Sequence, residues 1–245
     1  MEPFQTIHIH HMHETKTQAK SMAVTTEAFL NICINNDLFD QIIRTPGDEK
    51  ALVAGLLYNY HLISSCADLK SFSLVSSGDE DTVTVSIRTP FSAGTFNHRR
   101  KTISDLRTGI EKKLSFSEVC ACIDDLSNCQ PLRSQTKSTH AAILFDPSLN
   151  RLASKEDVGR HNALDKVIGQ TILDQTIDNV FLLVLSSRVS HELMMKILPT
   201  PVRYILSVSR PTSLAVELAR KHGIHMACLS KEGGILVFTG MDGFC

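Results

Sequence analysis

The sequence lacks long hydrophobic runs and has no excess of either charge. Its longest apolar stretches are short, as in the run from Val180 to Leu185, whereas a membrane-spanning helix needs about 18 or more apolar residues. The 245 residues include 25 Lys and Arg against 26 Asp and Glu, a formal net charge of −1 at pH 7. A nucleic-acid-binding surface normally needs a strongly basic balance. We therefore expect no membrane span and no nucleic-acid partner, while a local site for a small phosphorylated ligand stays open.

The sequence also lacks a Cys-x-x-Cys motif and any spacing typical of a disulfide framework. Its seven cysteines are Cys33, Cys66, Cys120, Cys122, Cys129, Cys228 and Cys245. An odd number without framework spacing indicates reduced thiols, and the N-terminal residues contain neither the apolar core nor the cleavage site of a secretion signal. Both features predict a cytoplasmic protein. A chain of this length with 42% hydrophobic residues can bury enough apolar surface to fold without disulfides or metal.

Residues 1–20 are predicted to form a flexible tail, because they offer little apolar surface to bury. Four histidines are crowded there: His8, His10, His11 and His13. Such a tract can bind a metal ion, and a metal site is the alternative interpretation. A mobile arm is the favoured one.

Residues 21–112 are predicted to form a small α+β domain. Its expected elements are strands over 28–34, 38–43, 72–75 and 82–87 and a helix that begins after Pro46-Gly47-Asp48. The first two strands are joined by Asn35-Asn36-Asp37, a sequence typical of tight hairpin turns. The stretch 90–109 is rich in Arg and Lys and poor in large apolar residues. It is either an exposed linker or a basic loop that attracts an anion.

Residues 113–245 alternate between strand-like and helix-like segments. Strands are expected over 141–145, 180–185, 203–209, 224–229 and 235–239, and helices over 115–126, 163–173, 189–198 and 212–222. Strands that alternate with helices of this length are typical of βαβ units. The predicted fold class is therefore α/β, with a C-terminal three-layer α/β/α sandwich around a mostly parallel sheet.

Two predicted strands end in chemically similar segments. One is Ser186-Ser187-Arg188 and the other is Ser209-Arg210-Pro211-Thr212-Ser213, and each is followed by a helix. Ligands of such sheets bind beyond the carboxyl ends of the strands. Free N–H groups at a helix N-terminus favour an anion, and arginine binds phosphate with two hydrogen bonds. Simple N-capping by Ser and Thr is the alternative, but two such ends in one sheet favour a phosphorylated ligand.

The most polar segment of the chain is 155–166, at the start of a predicted helix. Helical spacing would bring His161 and Asp165 together, so that the carboxylate could orient the imidazole. Gly159 permits an unusual turn or a close backbone approach. A solvated helix start is the plainer interpretation. The mixture of Gly, His, Asn and both charge signs instead favours a functional role for these polar side chains.

Several catalytic motifs are absent. His191-Glu192 is followed by Met195 where a zinc protease helix needs a second histidine. The zinc deaminase signature is missing as well, and Gly233-Gly234 is not part of a phosphate-binding P-loop. We predict no metal site and no catalytic residue from these patterns.

The most specific motif, Glu156-Asp-Val-Gly-Arg-His-Asn-Ala-Leu-Asp-Lys166, strongly resembles the FdhD family of formate dehydrogenase accessory proteins. Further matches are Thr45-Pro46, Thr139-His-Ala-Ala142, Ser186-Ser-Arg188 and Thr212-Ser-Leu-Ala-Val-Glu-Leu-Ala219. The likeness covers about residues 25–240. It implies a small N-terminal domain and a C-terminal domain of cytidine-deaminase-like fold.

The resemblance also implies a function. Members of this family carry sulfur from a cysteine desulfurase to the molybdenum bis(molybdopterin guanine dinucleotide) cofactor, before that cofactor enters formate dehydrogenase. The implied bound client is this cofactor, and GDP-like nucleotides would be partial mimics of it. The implied partners are a cysteine desulfurase, formate dehydrogenase and a second copy of the chain.

The family carries the sulfur as a persulfide on two cysteines of a loop, and this sequence departs from the family there. The corresponding text is Ser104-Asp-Leu-Arg-Thr-Gly109, in which Asp105 and Thr108 occupy the cysteine positions. Neither side chain can form a persulfide, which requires a thiolate. Three interpretations follow: a sulfurtransferase by family, a cofactor-binding chaperone that has lost persulfide chemistry, or sulfur carriage on the displaced thiols Cys120, Cys122 or Cys129.

The residues that the family uses to bind the cofactor are better preserved in this sequence than the two cysteines. The residues implied to bind the cofactor are His140, Asp157, Arg160, His161, Ser186, Ser187, Arg188, Ser209, Thr212, Leu229, Ser230, Lys231, Glu232, Gly233 and Gly234. Arg210 joins them as a phosphate-binding group on physical grounds.

Overall fold

The computed structural model describes residues 1–77, 80–89 and 112–245. The predicted basic loop 90–109 and the two family cysteine positions, Asp105 and Thr108, lie outside the described residues. The strands are β1 (Phe4–Met12), β2 (Thr17–Thr25), β3 (Ala28–Ile34), β4 (Asp37–Arg44), β5 (Leu69–Ser77), β6 (Glu80–Ile87), β7 (His140–Phe145), β8 (Arg151–Asp157), β9 (Leu182–Leu185), β10 (Tyr204–Ser207), β11 (His225–Leu229) and β12 (Ile235–Thr239). The helices are α1 (Glu49–Asn59), α2 (Phe116–Asn128), α3 (Pro131–Thr136), α4 (Arg160–Leu173), α5 (His191–Ile197) and α6 (Ser213–Lys221).

A four-stranded sheet forms the N-terminal unit, with the strand order β4-β3-β6-β5. The predicted turn between β3 and β4 is confirmed, because Asn35 and Asn36 have φ angles of 50° and 75°. Asparagine adopts this left-handed conformation more readily than most residues. All four strands predicted in this unit are present.

Helix α1 packs between this sheet and α4. Its predicted apolar positions are buried and belong to the same core cluster as the inward side chains of β3 and β6: Leu52, Val53, Leu56 and Leu57. The two helices touch through glycine. A Cβ added to Gly55 would overlap the carbonyl oxygen of Asp165, and one added to Gly169 would overlap that of Ala51. The sequence therefore permits a helix contact that any larger residue would prevent.

The second sheet has six strands in the order β12-β11-β10-β9-β7-β8. The prediction of a mostly parallel sheet is wrong, since only the pairs β9–β10 and β10–β11 are parallel. β7, β8 and β12 run antiparallel to their neighbours. Short turns after β7 and after β11 reverse the chain at once, whereas a parallel pair needs a long crossover.

Strand β8 was not predicted, because its sequence is charged. It lies at the edge of the six-stranded sheet and pairs only with β7 among the described strands. An edge strand has one polar side, so hydrophobic periodicity does not reveal it. The predicted polar segment 155–166 is thus the end of β8, a short turn and the start of α4.

Helices lie on both faces of the six-stranded sheet. The side chains of α4, α5 and α6 pack on one face with Leu144, Leu183 and Ile205. The side chains of α2 pack on the opposite face with Ile143 and Val184. The predicted α/β class is confirmed as a mixed arrangement of sheets and helices, and the specific likeness to cytidine deaminase stays a prediction. No helix of the described residues is long and apolar enough to cross a membrane.

The N-terminal residues differ from the predicted irregular tail. β1 and β2 form an antiparallel hairpin, whose alternating β-branched and polar residues suit a solvated strand pair. Most of it is exposed. At its base, Thr25 Oγ1 donates a hydrogen bond to Thr136 Oγ1 at the end of α3 (2.9 Å) and shares another with Ser138 Oγ just after that helix (2.7 Å). Across the described part of the chain, no group of three or more His, Cys, Asp or Glu is arranged to hold a metal ion.

Candidate functional site

The topology brings the predicted site segments to one edge of the six-stranded sheet. β9, β10 and β11 end at this edge, while the antiparallel β7 begins and β8 ends there. The register shows it directly: His140 is opposite Asp157, and the end of β9 at Leu185 is level with Ser207 of β10. We call this the carboxyl edge. From β8 to β11 it spans four inter-strand spacings, or about 19 Å.

After β9, the two serines that the sequence predicted as cofactor-binding residues make hydrogen bonds within the protein. Ser186 Oγ accepts a hydrogen bond from Ala141 N (2.8 Å), which ties β9 to the start of β7. Ser187 is buried, and its hydroxyl donates to the carbonyl of Arg188 (3.1 Å). Ser190 caps α5 by accepting from Leu193 N. The exposed Arg188 side chain is therefore the group in this segment that is available to a ligand.

After β10, the segment is more open. Ser209, Arg210 and Thr212 are exposed, and Thr212 stands at the N-cap of α6 without making a side-chain capping bond. Its backbone N–H donates to the carbonyl of Val189 (2.9 Å), which keeps the two strand-end segments side by side. Because the capping alternative does not apply at α6, the hydroxyl and the first N–H groups of this helix can receive an anion.

The third segment, Leu229–Gly234, is a tight turn between β11 and β12. Gly233 and Gly234 have φ angles of 90° and 78°, a conformation that favours glycine. Ser230 N donates to the carbonyl of Gly234 (3.0 Å) and closes the turn. Lys231 and Glu232 are exposed at its tip. The turn thus presents a cation and a carboxylate at the carboxyl edge.

The N-terminus of α4 carries the most telling polar groups. Arg160 Nε and His161 Nε2 are both buried from solvent and have no hydrogen-bond partner within the described residues. A buried polar atom without a partner is costly and therefore rare in native proteins. The N-cap residue, Gly159, has no side chain to satisfy the first N–H groups of the helix. The Arg160 donor, the imidazole nitrogen and the free N–H groups of the helix fit an anionic or hydrogen-bonding ligand.

A buried clamp holds the turn that carries these two residues. Asp157 is fully buried; its carboxylate accepts from Thr45 N (3.1 Å), Gly159 N (2.8 Å) and Asn162 Nδ2 (3.0 Å). It also pairs with Lys166 (2.8 Å), whose Nζ donates to the Thr45 carbonyl (2.9 Å). The sequence predicted Asp157 as a ligand contact, whereas the structure gives it four partners within the protein. Thr45 contributes its backbone N–H and carbonyl to this clamp. In the sequence, only its match to the family motif Thr45-Pro46 marks it.

The expected pairing of His161 with Asp165 is not the one the structure makes. The Asp165 carboxylate forms a buried ion pair with Lys196 of α5 and accepts from Asn59 Nδ2 (2.6 Å). Asp165 therefore links α4 to α1 and α5. The prediction failed because helical spacing identifies neighbours on one helix only and says nothing about partners on other helices.

The two imidazoles at the edge are held neutral. Burial lowers the pKa of His161 below its ordinary value of 6.5, and the Arg160 guanidinium adds to the effect. Burial also lowers the pKa of His140, with further contributions from Arg133 and Arg160. A neutral imidazole both donates and accepts a hydrogen bond, so both side chains suit the polar edges of a base or a pterin.

All of the cysteines except Cys245 are buried or half-buried in the structure. Burial and the nearby Glu118 raise the pKa of Cys122 to about 11, and Cys129 is buried with its Sγ in contact with Arg151 (2.6 Å). Cys120 lies half-buried on α2, and Cys245 is exposed. Cys122 is thus a neutral thiol at pH 7, which disfavours it as a sulfur carrier.

These observations define an α/β protein with a polar sheet edge that carries arginines, neutral imidazoles and open helix N-termini. The chain belongs to the FdhD/NarQ family, whose family model matches residues 25–244. It is 32% identical over 218 residues to the sulfur carrier protein FdhD of Thermoplasma acidophilum, covering 81% of this chain and 76% of that one. It is 30% identical to the sulfur carrier protein FdhD of Picrophilus torridus, covering 88% and 89% of the two chains.

A solved structure has the same fold. A proposed formate dehydrogenase accessory protein from Desulfotalea psychrophila superposes with a TM-score of 0.79 at 21% sequence identity, covering 99% of each chain. At this identity the likeness concerns the fold alone.

Proposed function

We propose that this chain is an accessory protein of formate dehydrogenase that binds the molybdenum bis(molybdopterin guanine dinucleotide) cofactor as cargo at the carboxyl edge. The observation that carries the proposal is the pair of unpartnered buried nitrogens, Arg160 Nε and His161 Nε2, at the N-terminus of α4. They lie on the edge where the strand-end segments converge. A ligand with several hydrogen-bonding groups would satisfy them.

The shape and charge of the edge support a dinucleotide-type cargo. Arg188 and Arg210 follow adjacent parallel strands, and the open N-terminus of α6 begins beside them. Arginine and helix N–H groups are the usual phosphate ligands of proteins. An edge of about 19 Å can accommodate an elongated ligand with phosphates at its centre and rings at its ends. The relatives named as sulfur carrier proteins support the accessory role.

Sulfur transfer is the second part of the family role. The chain would take sulfur from a cysteine desulfurase as a persulfide and pass it to the bound cofactor, acting in the cytoplasm and as a homodimer. Asp105 and Thr108 match the two family cysteines on which a persulfide would form. Their identity favours the alternative, a chaperone that binds and delivers the cofactor without carrying sulfur.

Calorimetry with GDP tests the binding proposal, because GDP contains the guanine and the two phosphates of one half of the cofactor. We expect Arg188→Ala and His161→Ala each to weaken GDP binding about tenfold, the loss typical of a hydrogen bond to a charged group. Arg220→Ala is the matched control, since Arg220 is exposed in the last turn of α6, at the opposite end of that helix. Unchanged affinity in both edge variants would contradict the proposed site.

An intact-mass spectrum after incubation with cysteine and a cysteine desulfurase distinguishes a sulfur carrier from a chaperone that only binds the cofactor. We expect no reductant-labile gain of sulfur, with a cysteine-containing family member labelled in parallel as the control. A gain that maps to one of the seven cysteines would show that the relay persists on a relocated thiol.

A further inference from the structure

The hairpin of β1 and β2 carries a histidine tract that the proposed function does not use. The family model matches from residue 25 onward, so membership of the family assigns no role to this tract. In the irregular tail that the sequence predicted, the histidines would have no fixed spacing. In the structure three of them lie on β1 and the fourth follows in the turn: His8, His10, His11 and His13.

The strand sorts these histidines by face. Alternate residues of a strand share a face, so His8 and His10 lie on one face of the hairpin. His11 lies on the opposite face, and His13 follows it two positions later. His8 Nδ1 is within hydrogen-bond distance (3.1 Å) of Ser21 Oγ on β2. The rings of His11 and His13 instead contact each other, with centroids 4.2 Å apart and planes inclined by 45°.

Two imidazoles in contact form a chelating pair. Imidazoles that bind one ion at about 2.0–2.1 Å per nitrogen have ring centres roughly 4.5–5 Å apart. The separation of 4.2 Å between His11 and His13 therefore needs only a small side-chain rotation to receive an ion. Both side chains are exposed, so an ion reaches them directly from solvent.

The tip of the hairpin is ordered by its backbone. His13 N donates to the Lys16 carbonyl (2.8 Å) and closes the turn, and the two strands pair as far as Met12 and Thr17. A two-stranded hairpin by itself is only marginally stable. An ion that binds the ordered tip and not the unfolded one stabilises the hairpin by mass action.

We propose that His11 and His13 bind a divalent transition metal ion, of the class of Ni²⁺, Cu²⁺ and Zn²⁺, and that this ion stabilises the pairing of β1 with β2. Imidazole nitrogens suit these ions, whereas Mg²⁺ and Ca²⁺ prefer oxygen ligands. No third His, Cys, Asp or Glu of the described residues joins the pair, so water completes the coordination of the ion.

Calorimetry with Zn²⁺ tests the site, with Mg²⁺ as the comparison ion that should not bind. His11→Gln and His13→Gln each remove one of two ligands and should not affect folding, because both side chains are exposed. Each should weaken Zn²⁺ binding by at least about tenfold, since even the loss of a group that only orients a ligand costs about 10–100-fold. His10→Gln is the matched control: it removes a neighbouring exposed histidine from the opposite face and should leave the affinity unchanged.

The double variant His11→Gln, His13→Gln identifies Zn²⁺ that is held elsewhere, for example by cysteines, as the binding that persists in it. Unchanged binding in this variant would overturn the proposal. Equal weakening in His10→Gln and in the two pair variants would also overturn it, because the tract would then bind metal without the contact between His11 and His13.

Hydrogen exchange tests the stabilising effect of the ion. Zn²⁺ should slow the exchange of backbone amides in β1 and β2 of the native chain and should have no such effect in the double variant. The amides of β3 and β6, in the buried sheet of the N-terminal unit, are the internal reference. Binding of Zn²⁺ to the pair without slower exchange in the hairpin would overturn the proposed stabilisation.

Discussion

Asp157 and Arg160 lie three positions apart and play opposite roles. Every partner of the Asp157 carboxylate is a group of the protein itself, whereas Arg160 retains a buried donor without a partner. A buried side chain that is fully hydrogen-bonded within the protein contributes to the fold, and one that keeps an unsatisfied polar atom can bind a ligand. The same motif therefore contains one residue that builds the turn and another that the turn presents.

The role of Asp157 predicts a large loss of stability on neutralisation. Asp157→Asn leaves the Lys166 ammonium buried without its counter-charge, and breaking a buried pair in this way typically costs about 3–5 kcal/mol of unfolding free energy. Urea denaturation measures the loss. Asp48→Asn is the control, since it breaks the exposed pair with Lys155, for which about 1 kcal/mol or less is expected. Equal losses of unfolding free energy in the two variants would show that the buried Asp157–Lys166 pair contributes no more to stability than an exposed ion pair.

The edge histidines predict a pH dependence of stability. The pKa values of His140 and His161 are lowered in the folded chain, so below pH 6.5 the unfolded chain binds more protons than the folded one. Their contribution to stability is therefore complete above pH 6.5 and is lost as the pH falls through the folded pKa values. We expect the unfolding free energy to fall below pH 6.5 more steeply in the native chain than in the double variant His140→Gln, His161→Gln. Parallel curves would contradict the burial of neutral imidazoles.

At the scale of the elements, the contact between α1 and α4 positions the candidate site. α4 carries Arg160 and His161 at its start, and its middle is fixed against α1 by the close approach at Gly55 and Gly169. Asp165, whose backbone carbonyl faces Gly55, also binds Asn59 of α1 and Lys196 of α5 through its side chain. The helix that presents the unpartnered donors is thus held along its length by packing and by buried polar contacts.

This contact predicts an unusual effect of alanine. Gly→Ala in an ordinary helix stabilises the chain by about 0.5–1 kcal/mol, but the Cβ of Gly169→Ala would collide with the backbone of α1. We expect a net destabilisation of about 1–3 kcal/mol, the usual cost of overpacking, together with weaker GDP binding because α4 must shift. Thermal unfolding and calorimetry measure the two effects. A stabilised Gly169→Ala protein would show that the helices are not in close contact.

At the scale of the whole molecule, the two predicted domains share one core. Side chains of the small sheet, such as Leu30 and Val83, belong to the same buried cluster as Leu164 of α4 and Ile205 of the large sheet. The backbone of Thr45 is also hydrogen-bonded to the side chains of Asp157, the last residue of β8, and Lys166 of α4. A shared core makes unfolding of one unit without the other unfavourable, because each would expose apolar surface of its partner.

The three tyrosines can test this cooperativity, since the chain contains no tryptophan. Tyr58 and Tyr60 lie at the end of α1, and Tyr204 begins β10. Tyr204→Phe leaves fluorescence that reports on the N-terminal unit, and the double variant Tyr58→Phe, Tyr60→Phe leaves fluorescence that reports on the large sheet. We expect each urea midpoint from fluorescence to coincide with the midpoint from far-ultraviolet circular dichroism of the same variant. Separate midpoints within one variant would indicate independently folding domains.

Local patterns in the sequence predicted most of the elements correctly. The Asn35-Asn36 turn is present as expected, and the helix expected from residue 115 begins with a capping box of Ser115 and Glu118, because such signals act over a few residues. β8 and the hairpin of β1 and β2 were missed, because polar edge strands carry no hydrophobic periodicity. The sheet was predicted to be mostly parallel because the alternating pattern does not distinguish a turn from a crossover.

The sequence by itself determined which segments follow each strand, the family motif before α4 and the absence of cysteine at positions 105 and 108. Chain order and residue identity are sufficient for those conclusions. Only the tertiary structure decided which polar residues are satisfied within the protein and which remain available to a ligand. Asp157 receives its bond from Thr45, which is 112 positions away, and no local pattern encodes a partner at that distance. The difference between Asp157 and His161 is therefore a property of the folded molecule, because it depends on which donors and acceptors the packing brings within hydrogen-bond distance.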